Sequence, residues 1–339
     1  MGDVLSFVDA IVIAVLAASG PSSEALTTGA EKAVEEINAA GGIDGLRLDL
    51  VTLAVPGPWR DGADLTARLV FDNRVVGLIG PTDGELAHVA AQIATRKRIP
   101  VITLSPEESL TRAMVPWVFR GVPDDGTQAR ELLQWSFADP RGKSAMLAVP
   151  AGRSGRERAA ALSKVCGELG VRVTETLIGD RRSEPSIAAA DVLLLWLDPG
   201  PAVELLLELG RHGTPRRVLG STRLDDAVFV DAVPDWATGL ALPLLRGPES
   251  STAVAPGLAR ALGYDGVRLM AGAMRRQGPE PEAMRAGLAT GQLAGRSGTF
   301  SFDPRGNRLG SIEVGVVRNG RLHRVRPAAP QSANPVLTR

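Results

Sequence analysis

The sequence predicts an α/β fold of two lobes, each built on a parallel sheet, and three observations predict it. Short apolar stretches that suit buried strands alternate with stretches of helical periodicity along most of the chain. The stretch at residues 29–42 places its small and apolar residues on one helix face: Ala30, Ala33, Val34 and Ile37. The chain also has 339 residues, more than the about 250 to 300 at which a single core stops growing.

The first lobe is predicted from four apolar strands, each followed by a helical pattern. These strands lie at residues 11–16, 46–53, 75–79 and 101–104. For the first helix, Thr28 and Glu31 have the spacing of a capping box, and Gly41 with Gly42 supplies a stop signal. We therefore expect a doubly wound sheet whose first helix begins near Thr28.

The second lobe is predicted from a further set of apolar strands with two helices between them. The strands lie at residues 145–149, 171–177, 192–197, 218–219 and 239–242, and the helices at residues 156–169 and 201–211. The same alternation of strand and helix predicts a second parallel sheet.

Composition restricts the class of partner. Lys and Arg together number 38, as do Asp and Glu, and no block of like charge interrupts the chain. Such a balance argues against nucleic acid or an anionic membrane as the main partner. A small-molecule solute remains open. No run reaches the roughly 18 apolar residues of a membrane span.

Cysteine usage and the start of the chain say little about compartment. Cys166 is the only cysteine, so an internal disulfide is impossible. Residues 7–18 are apolar, but Asp3 and Asp9 replace the basic region of a signal peptide, and residues 11–16 are needed as the first strand. We therefore expect no targeting segment within this sequence.

Several segments resemble one known family, in its own order. The first strand and its loop read IVIAVLAASGP, followed by GAEKAVEEINAAGG, and residues 75–105 read VVGLIGPTDGELAHVAAQIATRKRIPVITLS. Later segments read VFRGVPDDGTQARELL, GYDGVRLMAGAMRRQG and GTFSFDPRGNRLGSIEVGVVRNGR. Over about residues 10–326 the chain resembles the type I periplasmic solute-binding proteins, in particular the branched-chain amino-acid-binding group of ABC transporters.

The resemblance implies the type I periplasmic binding protein fold, with two Rossmann-like, doubly wound lobes joined by a three-stranded hinge. Lobe one would comprise residues 1–120 and 248–292. Lobe two would comprise residues 121–247 and 293–326, and residues 327–339 would form a C-terminal tail.

The same resemblance implies where the chain passes between the lobes. A helix at residues 263–277 would return to lobe one, and a hairpin of residues 300–302 and 312–317 would cross back to lobe two. We expect the three crossings near Gly121, Leu244 and Gly298.

The function that the resemblance implies is binding rather than catalysis. The chain would capture a small polar solute, an amino acid or a related carboxylate or amide, as the substrate-binding component of an ABC-type uptake system. Its partners would be the solute and a transporter permease, with no cofactor, and the chain would be a monomer or a weak dimer. Two alternatives stay open: a ligand-sensing or regulatory module of the same fold without a transport role, and a degenerate relative that binds nothing.

The resemblance also implies a periplasmic or extracellular location, because the family is normally exported. Since we read no leader in this sequence, either a leader has been removed or this member stays inside the cell.

Candidate ligand-binding residues follow from the carboxyl ends of the parallel strands, where loops of the two lobes face each other. In lobe one they are Ser19, Thr82, Asp83, Gly84, Leu104, Ser105 and Glu107. In lobe two they are Arg153, Ser154, Asp198, Thr222 and Arg223. The loop at residues 80–84 leads into a helix, so its backbone amides form a candidate carboxylate site.

Simpler roles stay open for several of these residues. Thr82 and Asp83 could cap the helix that follows them, and Ser105 could cap a helix at residues 107–113. Asp198 precedes Pro-Gly and could serve only the turn, and Arg223 could be a solvated surface arginine.

The candidate pocket departs from the pattern of the amino-acid binders. Where those proteins usually have a serine-rich loop and a Ser-Ala-Thr group, this chain has residues 82–85 and 105–107. The two usual lobe-two tyrosines correspond to Ser154 and Asp198, and the acidic partner of the ligand ammonium falls near Arg223. Burying a zwitterion without partners costs several kcal/mol per charged group. We therefore expect leucine, isoleucine and valine to bind weakly or not at all.

Two other solute classes remain open at this pocket. Asp83, Glu107 and Asp198 could hold a cationic or polyhydroxylated solute. Arg153 and Arg223 could instead hold a carboxylate.

Motifs of enzymes are missing from the sequence. There is no G-x-G-x-x-G after the first strand, no G-x-x-x-x-G-K-[ST] and no G-x-S-x-G. His88, His212 and His323 fall in different predicted elements, and no histidine lies near Cys166 in sequence. We therefore expect neither catalytic residues nor a metal site.

Overall fold

The computed structural model describes residues 10–56, 59–178, 190–247, 253–254 and 257–325. The expectations for residues 1–9 and for the tail at residues 327–339 lie outside these ranges. The helices are α1 (Pro21–Ala39), α2 (Trp59–Asp72), α3 (Gly84–Lys97), α4 (Ser109–Arg112), α5 (Asp125–Ser136), α6 (Gly152–Glu168), α7 (Pro199–His212), α8 (Ala227–Asp231), α9 (Leu258–Gln277) and α10 (Pro281–Thr290). Among these described helices, none combines the length and the apolar character needed to cross a membrane.

Strands alternate with these helices over most of the chain. They are β1 (Ala10–Ala18), β2 (Arg47–Val55), β3 (Gly77–Ile79), β4 (Val101–Thr103), β5 (Val118–Arg120), β6 (Ser144–Val149), β7 (Arg172–Ile178), β8 (Val192–Leu195), β9 (Val218–Gly220), β10 (Ala241–Leu244), β11 (Ala253–Val254), β12 (Gln292–Gly295), β13 (Gly298–Phe302), β14 (Arg308–Leu309), β15 (Glu313–Arg318) and β16 (Arg321–Val325).

Sheet one is the centre of the first lobe. Its strand order is β2-β1-β3-β4-β5, and all of its neighbouring strands pair in parallel. This is the order of a doubly wound sheet that reverses direction next to β1, and ligands bind such sheets at the reversal.

Sheet two is the centre of the second lobe, with the order β11-β16-β15-β10-β9-β8-β6-β7. The strands β7, β6, β8, β9 and β10 run parallel, whereas β15 and β16 add antiparallel strands at one side. The two sheets confirm the predicted α/β fold with doubly wound, parallel-sheet lobes.

Both faces of each sheet are covered, which explains the continuous apolar runs of the strands. In β1, Ile13 and Val15 pack into a core with α1 and α9, while Ala14 and Leu16 pack into a core with α3. Sheet two likewise separates two buried clusters. Alternate side chains of one strand therefore serve opposite cores.

Helices α1 and α9 cross in close backbone contact on sheet one. A Cβ at Gly29 would overlap the carbonyl oxygen of Arg260, and a Cβ at Gly263 would overlap that of Leu26. Glycine at both positions lets the two backbones approach. The side chain of Tyr264 donates to Glu36 Oε2 at 2.6 Å beside this crossing.

The buried Arg308 side chain joins the end of β5 to the segment around β13. Its guanidinium donates to the carbonyl oxygen of Gly121 at 2.9 Å and to that of Ser297, and lies 3.6 Å from the ring centroid of Phe300. Burial lowers the Arg308 pKa to about 10, against the opposing effect of Asp265. This buried side chain therefore holds Gly121, just after β5, next to Ser297, just before β13.

The predicted start of the first helix is wrong. Helix α1 begins at Pro21, and Thr28 lies inside it, where its hydroxyl donates to the Glu24 carbonyl at 2.8 Å. The ring of a proline at the first helical position fixes φ at a helical value. The backbone N–H that proline lacks would have no partner within the helix there, so Pro21 is the true start signal. The predicted stop is confirmed, since the helix ends at Ala39, just before two glycines.

The predicted hairpin of residues 300–302 with residues 312–317 is also wrong. β13 pairs with β12 and β14 in a small three-stranded sheet, whereas β15 pairs with β10 and β16 in sheet two. Phe300 and Phe302 of β13 pack into the core that contains α1 and α9, and this packing keeps β13 away from β15.

Candidate functional site

A central cleft of about 470 Å³ lies between the lobes at the carboxyl ends of both sheets. Loops after β1, β3 and β4 line it from the first lobe, and loops after β8 and β9 line it from the second. The start of α9 closes one side. Small-molecule sites typically have about 300 to 1,000 Å³. Apolar side chains form part of its wall: Leu104, Val122, Val228, Leu258 and Leu262.

Arg223 spans this cleft. Its Nη2 donates to the backbone carbonyl of Thr82 at 3.0 Å, and its Nη1 donates to Asp198 Oδ1 at 3.3 Å. The Arg223 side chain is only 12% exposed, whereas that of Asp198 is 57% exposed. The interpretation of Arg223 as a solvated surface arginine is therefore wrong, because the side chain lies between the two lobes.

The loop that carries Arg223 is held by Gln128 on α5. The Gln128 side chain accepts from the Thr222 amide at 2.9 Å and donates to the Pro123 carbonyl at 2.7 Å. Gln128 is fully buried. It therefore fixes the turn at Thr222–Leu224 from beneath the cleft.

Two carboxylates at the cleft serve helix ends. Asp83 is the N-cap of α3, and its Oδ1 accepts from the Leu86 amide at 2.8 Å. Asp226 caps α8 in the same manner and accepts from Ser22 Oγ at 3.4 Å across the cleft. The capping role that the sequence left open for Asp83 is the observed one.

Asp225 joins the second lobe to the start of α9. Its buried carboxylate lies 2.7 Å from Arg246 Nη2 and accepts from the Gly257 amide at 2.9 Å. Burial raises the Asp225 pKa, and Arg246 opposes that effect. The backbone carbonyl of Asp225 also accepts from the Leu258 amide at 3.2 Å.

The structure brings together seven of the twelve residues that the sequence selected. These residues line the central cleft: Ser19, Thr82, Asp83, Leu104, Asp198, Thr222 and Arg223. The other five lie elsewhere: Gly84, Ser105, Glu107, Arg153 and Ser154.

Gly84 and Ser105 are enclosed next to the cleft. A Cβ at Gly84 would overlap the Glu107 carboxylate, so glycine makes room for that side chain. Ser105 is fully buried and caps no helix, because α4 begins at Ser109 with Glu108 as its N-cap. The prediction of a Ser105 cap is therefore wrong.

Arg153 and Ser154 lie on a helix rather than in a loop, because α6 begins at Gly152. They belong to a second group of polar side chains between the lobes. We call this group the lateral cluster, and its members are His88, Glu107, Ser109, Arg153, Ser154 and Glu157. A cavity of about 360 Å³ adjoins it.

Within the lateral cluster, Glu107 is buried and ionised. Burial alone would raise its pKa, but hydrogen bonds from His88 and Ser154 outweigh burial and lower the pKa below its ordinary value. Ser154 Oγ lies 2.8 Å from Glu107 Oε1, and His88 Nε2 lies 3.3 Å from Oε2. This carboxylate therefore connects α6 of the second lobe with α3 of the first.

The cluster does not have the geometry of a serine hydrolase triad. A triad histidine contacts the serine with Nε2 and the carboxylate with Nδ1. Here both Ser109 and Glu107 contact Nε2 of His88, at 3.1 and 3.3 Å. Ser109 Oγ also gives its proton to Glu157 Oε2 at 2.9 Å.

The lone thiol is equally unsuited to chemistry. Cys166 is fully buried on α6, and burial raises its pKa to about 11. A thiol at that pKa is protonated at neutral pH and is a poor nucleophile.

A buried polar group lies beneath the lateral cluster. Trp196 Nε1 donates to Asp125 Oδ1 at 2.9 Å, and Arg158 Nη1 donates to the Trp196 carbonyl at 3.0 Å. Burial raises the Asp125 pKa to about 6, against the opposing charges of Arg158 and Arg223. This group supports α5 and α6 where they meet sheet two.

Several cleft residues were missed from sequence. Asp225 and Asp226 adjoin the loop after β9 that had been selected, so a longer window at that strand end would have found them. The start of α9 at Leu258 and Leu262 returns from far along the chain. No local pattern identifies such a contact.

The chain matches the family model described as periplasmic binding protein over residues 12–318. No curated protein matches the sequence. Solved structures with the same fold include the branched-chain amino acid transporter substrate-binding protein LivJ of Streptococcus pneumoniae, in complex with isoleucine. It is 22% identical, with a TM-score of 0.80 over 94% of this chain and 100% of that chain.

Two further solved structures share the fold. The leucine-binding protein LivK of Thermotoga maritima is 20% identical, with a TM-score of 0.78 over 93% of this chain and 98% of that one. A solute-binding protein of an ABC transporter from R. palustris, in complex with benzoate, is 19% identical, with a TM-score of 0.78 over 93% and 95%. Because the family model covers most of its length, the chain belongs to the periplasmic binding protein family.

Proposed function

We propose that this chain binds a small polar solute, an amino acid or a related carboxylate or amide, in the central cleft. It would act there as the substrate-binding component of an ABC-type uptake system. The observation that carries the proposal is the cleft of about 470 Å³ at the carboxyl ends of both sheets, bridged by Arg223. The lobes would follow the division expected from sequence, with lobe one at residues 1–120 and 248–292.

The proposed mechanism is capture by closure. A solute that contacts both lobes stabilises the closed arrangement by the contacts that exist only there. Arg223 suits this role, because its partners Thr82 and Asp198 lie on opposite sides of the cleft. A solute carboxylate would replace one of these two partners as a hydrogen-bond acceptor of the Arg223 guanidinium. The transporter permease would then recognise the closed form.

The ligands of the related structures support a carboxylate with an apolar body. Isoleucine and benzoate, which are bound to two of them, both fit that description. In this chain Leu104, Val122 and Leu262 offer apolar contact, and Arg223 offers a cationic group. Ser19, Thr82, Asp83, Asp198 and Thr222 complete the proposed solute contacts.

The proposal includes a location outside the cytoplasm and no catalytic step. Membership of the periplasmic binding protein family supports both parts of the proposal. A sensory module of the same fold without a permease is the competing function. The presence or absence of permease and ATPase genes next to this gene distinguishes the two.

A thermal-shift screen of the full chain tests the proposal. The panel contains amino acids, aliphatic and aromatic carboxylates, amides, amines and sugars. At a hundredfold excess over Kd, a bound solute adds about 2.7 kcal/mol of stability, so a true ligand raises Tm visibly. Each active compound is then titrated by calorimetry against the wild type and Arg223→Ala.

Arg216→Ala is the matched control, because that side chain is 84% exposed. A carboxylate that stabilises the wild type and the control, but not Arg223→Ala, supports the proposal. If no class raises Tm, the chain is the degenerate relative that the sequence left open.

A further inference from the structure

The lateral cluster brings three potential metal ligands together from three separate elements. His88 lies on α3, Glu107 follows β4, and Glu157 lies on α6 of the other lobe. Their ligand atoms all lie within 4.8 Å of one another. The cluster therefore joins the two lobes at a place separate from the central cleft.

Each carboxylate is oriented by a donor on its outer side. Ser154 Oγ donates to Glu107 Oε1 at 2.8 Å, and Arg153 Nη2 lies 2.9 Å from Glu157 Oε1. The other oxygen, Oε2, of each carboxylate is directed inward, towards His88 and Ser109 respectively. Metal-binding carboxylates are typically held by such outer hydrogen bonds.

One pair of the proposed ligand atoms already has a distance suited to a metal. His88 Nε2 lies 3.3 Å from Glu107 Oε2 and 3.1 Å from Ser109 Oγ. Ligands about 2.0 to 2.1 Å from a tetrahedral metal lie about 3.3 Å from one another. The Glu157 side chain is one-third exposed, so it can rotate to complete the set.

The hydrogen bonding around His88 Nε2 leaves this nitrogen with competing partners. Ser109 Oγ donates its proton to Glu157, so towards His88 Nε2 it can only accept, as Glu107 Oε2 does. Arg153 Nη2, 3.2 Å from the same nitrogen, can only donate. A ring nitrogen either donates or accepts. A metal at Nε2 would use its lone pair, and the half-exposed Arg153 would keep only its contact with Glu157.

We propose that His88 Nε2, Glu107 Oε2 and Glu157 Oε2 bind one divalent transition-metal ion, with zinc as the best-matched ion. One imidazole and two carboxylates suit Zn²⁺, whereas Ca²⁺ and Mg²⁺ prefer oxygen ligands alone. The two carboxylates supply the negative charge that a divalent ion requires. Gly84 serves this site, because a side chain there would displace the Glu107 carboxylate.

The ion would hold the two lobes together, since two of its ligands belong to the first lobe and one to the second. Metal and solute would therefore favour the same closed arrangement, and each would tighten the binding of the other. The metal site itself does not depend on the identity of the solute or on the proposed transport role.

Calorimetric titration of ZnCl2 into the tag-free, metal-free full chain tests the proposal. We expect one ion per chain for the wild type, and affinity at least about tenfold lower for His88→Ala and for Glu157→Gln. Ser154→Ala should weaken binding about tenfold as well, since it removes a hydrogen bond that orients a ligand. His323→Ala, a histidine on β16 of sheet two, is the matched control and should bind as the wild type does.

Folding of each variant is checked by circular dichroism and by thermal melting without metal. Glu157→Gln keeps the size of a partly exposed side chain, so this variant decides the question alone if His88→Ala does not fold. Absence of zinc binding to the wild type would overturn the proposal. So would equal zinc affinity in wild type and Glu157→Gln, or tighter binding of Ca²⁺ than of Zn²⁺.

Discussion

The Arg223 guanidinium donates to the Thr82 carbonyl across the cleft, with 3.0 Å between Nη2 and O. The donor follows β9 of sheet two, and the acceptor follows β3 of sheet one. This hydrogen bond joins loops of the two sheets across the cleft, and it leaves Arg223 next to the space that a solute would occupy.

Removing the side chain of Arg223 or of Asp198 should weaken solute binding. Once a solute is identified, Arg223→Ala and Asp198→Ala should each raise Kd about tenfold to a hundredfold, because a hydrogen bond to a charged group contributes roughly 1.5 to 3 kcal/mol. Stability of Asp198→Ala should stay within about 0.5 kcal/mol of wild type, since this side chain is 57% exposed. Calorimetry and urea unfolding measure the two quantities. Unchanged affinity in both variants would mean that the solute binds elsewhere.

Free leucine, isoleucine and valine should bind more weakly than micromolar, that is, with less than about 8 kcal/mol. At the cleft, Asp83 and Asp226 are engaged in capping helices, and Asp198 is paired with Arg223. An amino-acid ammonium would therefore have to compete for a carboxylate. Calorimetric titration with each amino acid measures the affinity. Micromolar binding of any of the three would contradict this prediction.

The sequence predicted sheet one well and its last strand poorly. The strand expected at residues 11–16 is observed at Ala10–Ala18, because a long apolar run between turn signals defines its position. No strand was predicted at β5 (Val118–Arg120), because its residues VFR end in an arginine and do not form an apolar run like those at β3 and β4. Its place is set by pairing with β4, a tertiary contact.

The site was predictable only where it depends on strand ends. That rule selected Ser19, Thr82 and Arg223, which line the cleft. It also selected Glu107, whose side chain turns instead to Ser154 on α6. The contact joins residues 47 positions apart in sequence, so local periodicity carries no information about it.

Alanine at Gly263 should destabilise the protein by about 1 to 3 kcal/mol, as overpacking generally does. A Cβ there would overlap the backbone of α1 at Leu26, and backbone cannot move aside as a side chain can. Gly29→Ala should behave alike, because it meets Arg260 at the same crossing. Urea unfolding monitored by circular dichroism measures the change.

Gly272→Ala, on the same helix α9, is the matched control for this crossing. Its Cβ would lie 3.3 Å from the flexible tip of Arg276, so the side chain can give way. We expect this variant to gain about 0.5 to 1 kcal/mol from the better helix propensity of alanine. If Gly263→Ala were as stable as Gly272→Ala, the close approach of α1 and α9 would be refuted.

Asp125 should make the protein less stable as the pH rises from about 4 to 7. Burial raises its pKa from the ordinary 3.8 to about 6, and the charges of Arg158 and Arg223 only partly oppose that effect. Well below pH 3.8 the carboxyl is protonated in both the folded and the unfolded protein, so it does not lower the stability. As the pH rises, the unfolded chain ionises first, so stability falls until the folded group ionises near pH 6.

Asp125→Asn should remove this loss, because an amide is never ionised and its oxygen can still accept from Trp196. A shift of about two units corresponds to about 3 kcal/mol as an upper value. Relative to the wild type, Asp125→Asn should therefore gain up to that amount of stability between pH 4 and pH 7, measured by urea unfolding at both values. Asp64→Asn changes an exposed residue of α2, and its difference from wild type should be the same at the two pH values within about 0.5 kcal/mol. Parallel pH dependence of the wild type and Asp125→Asn would show that Asp125 is ionised in the folded protein throughout this range.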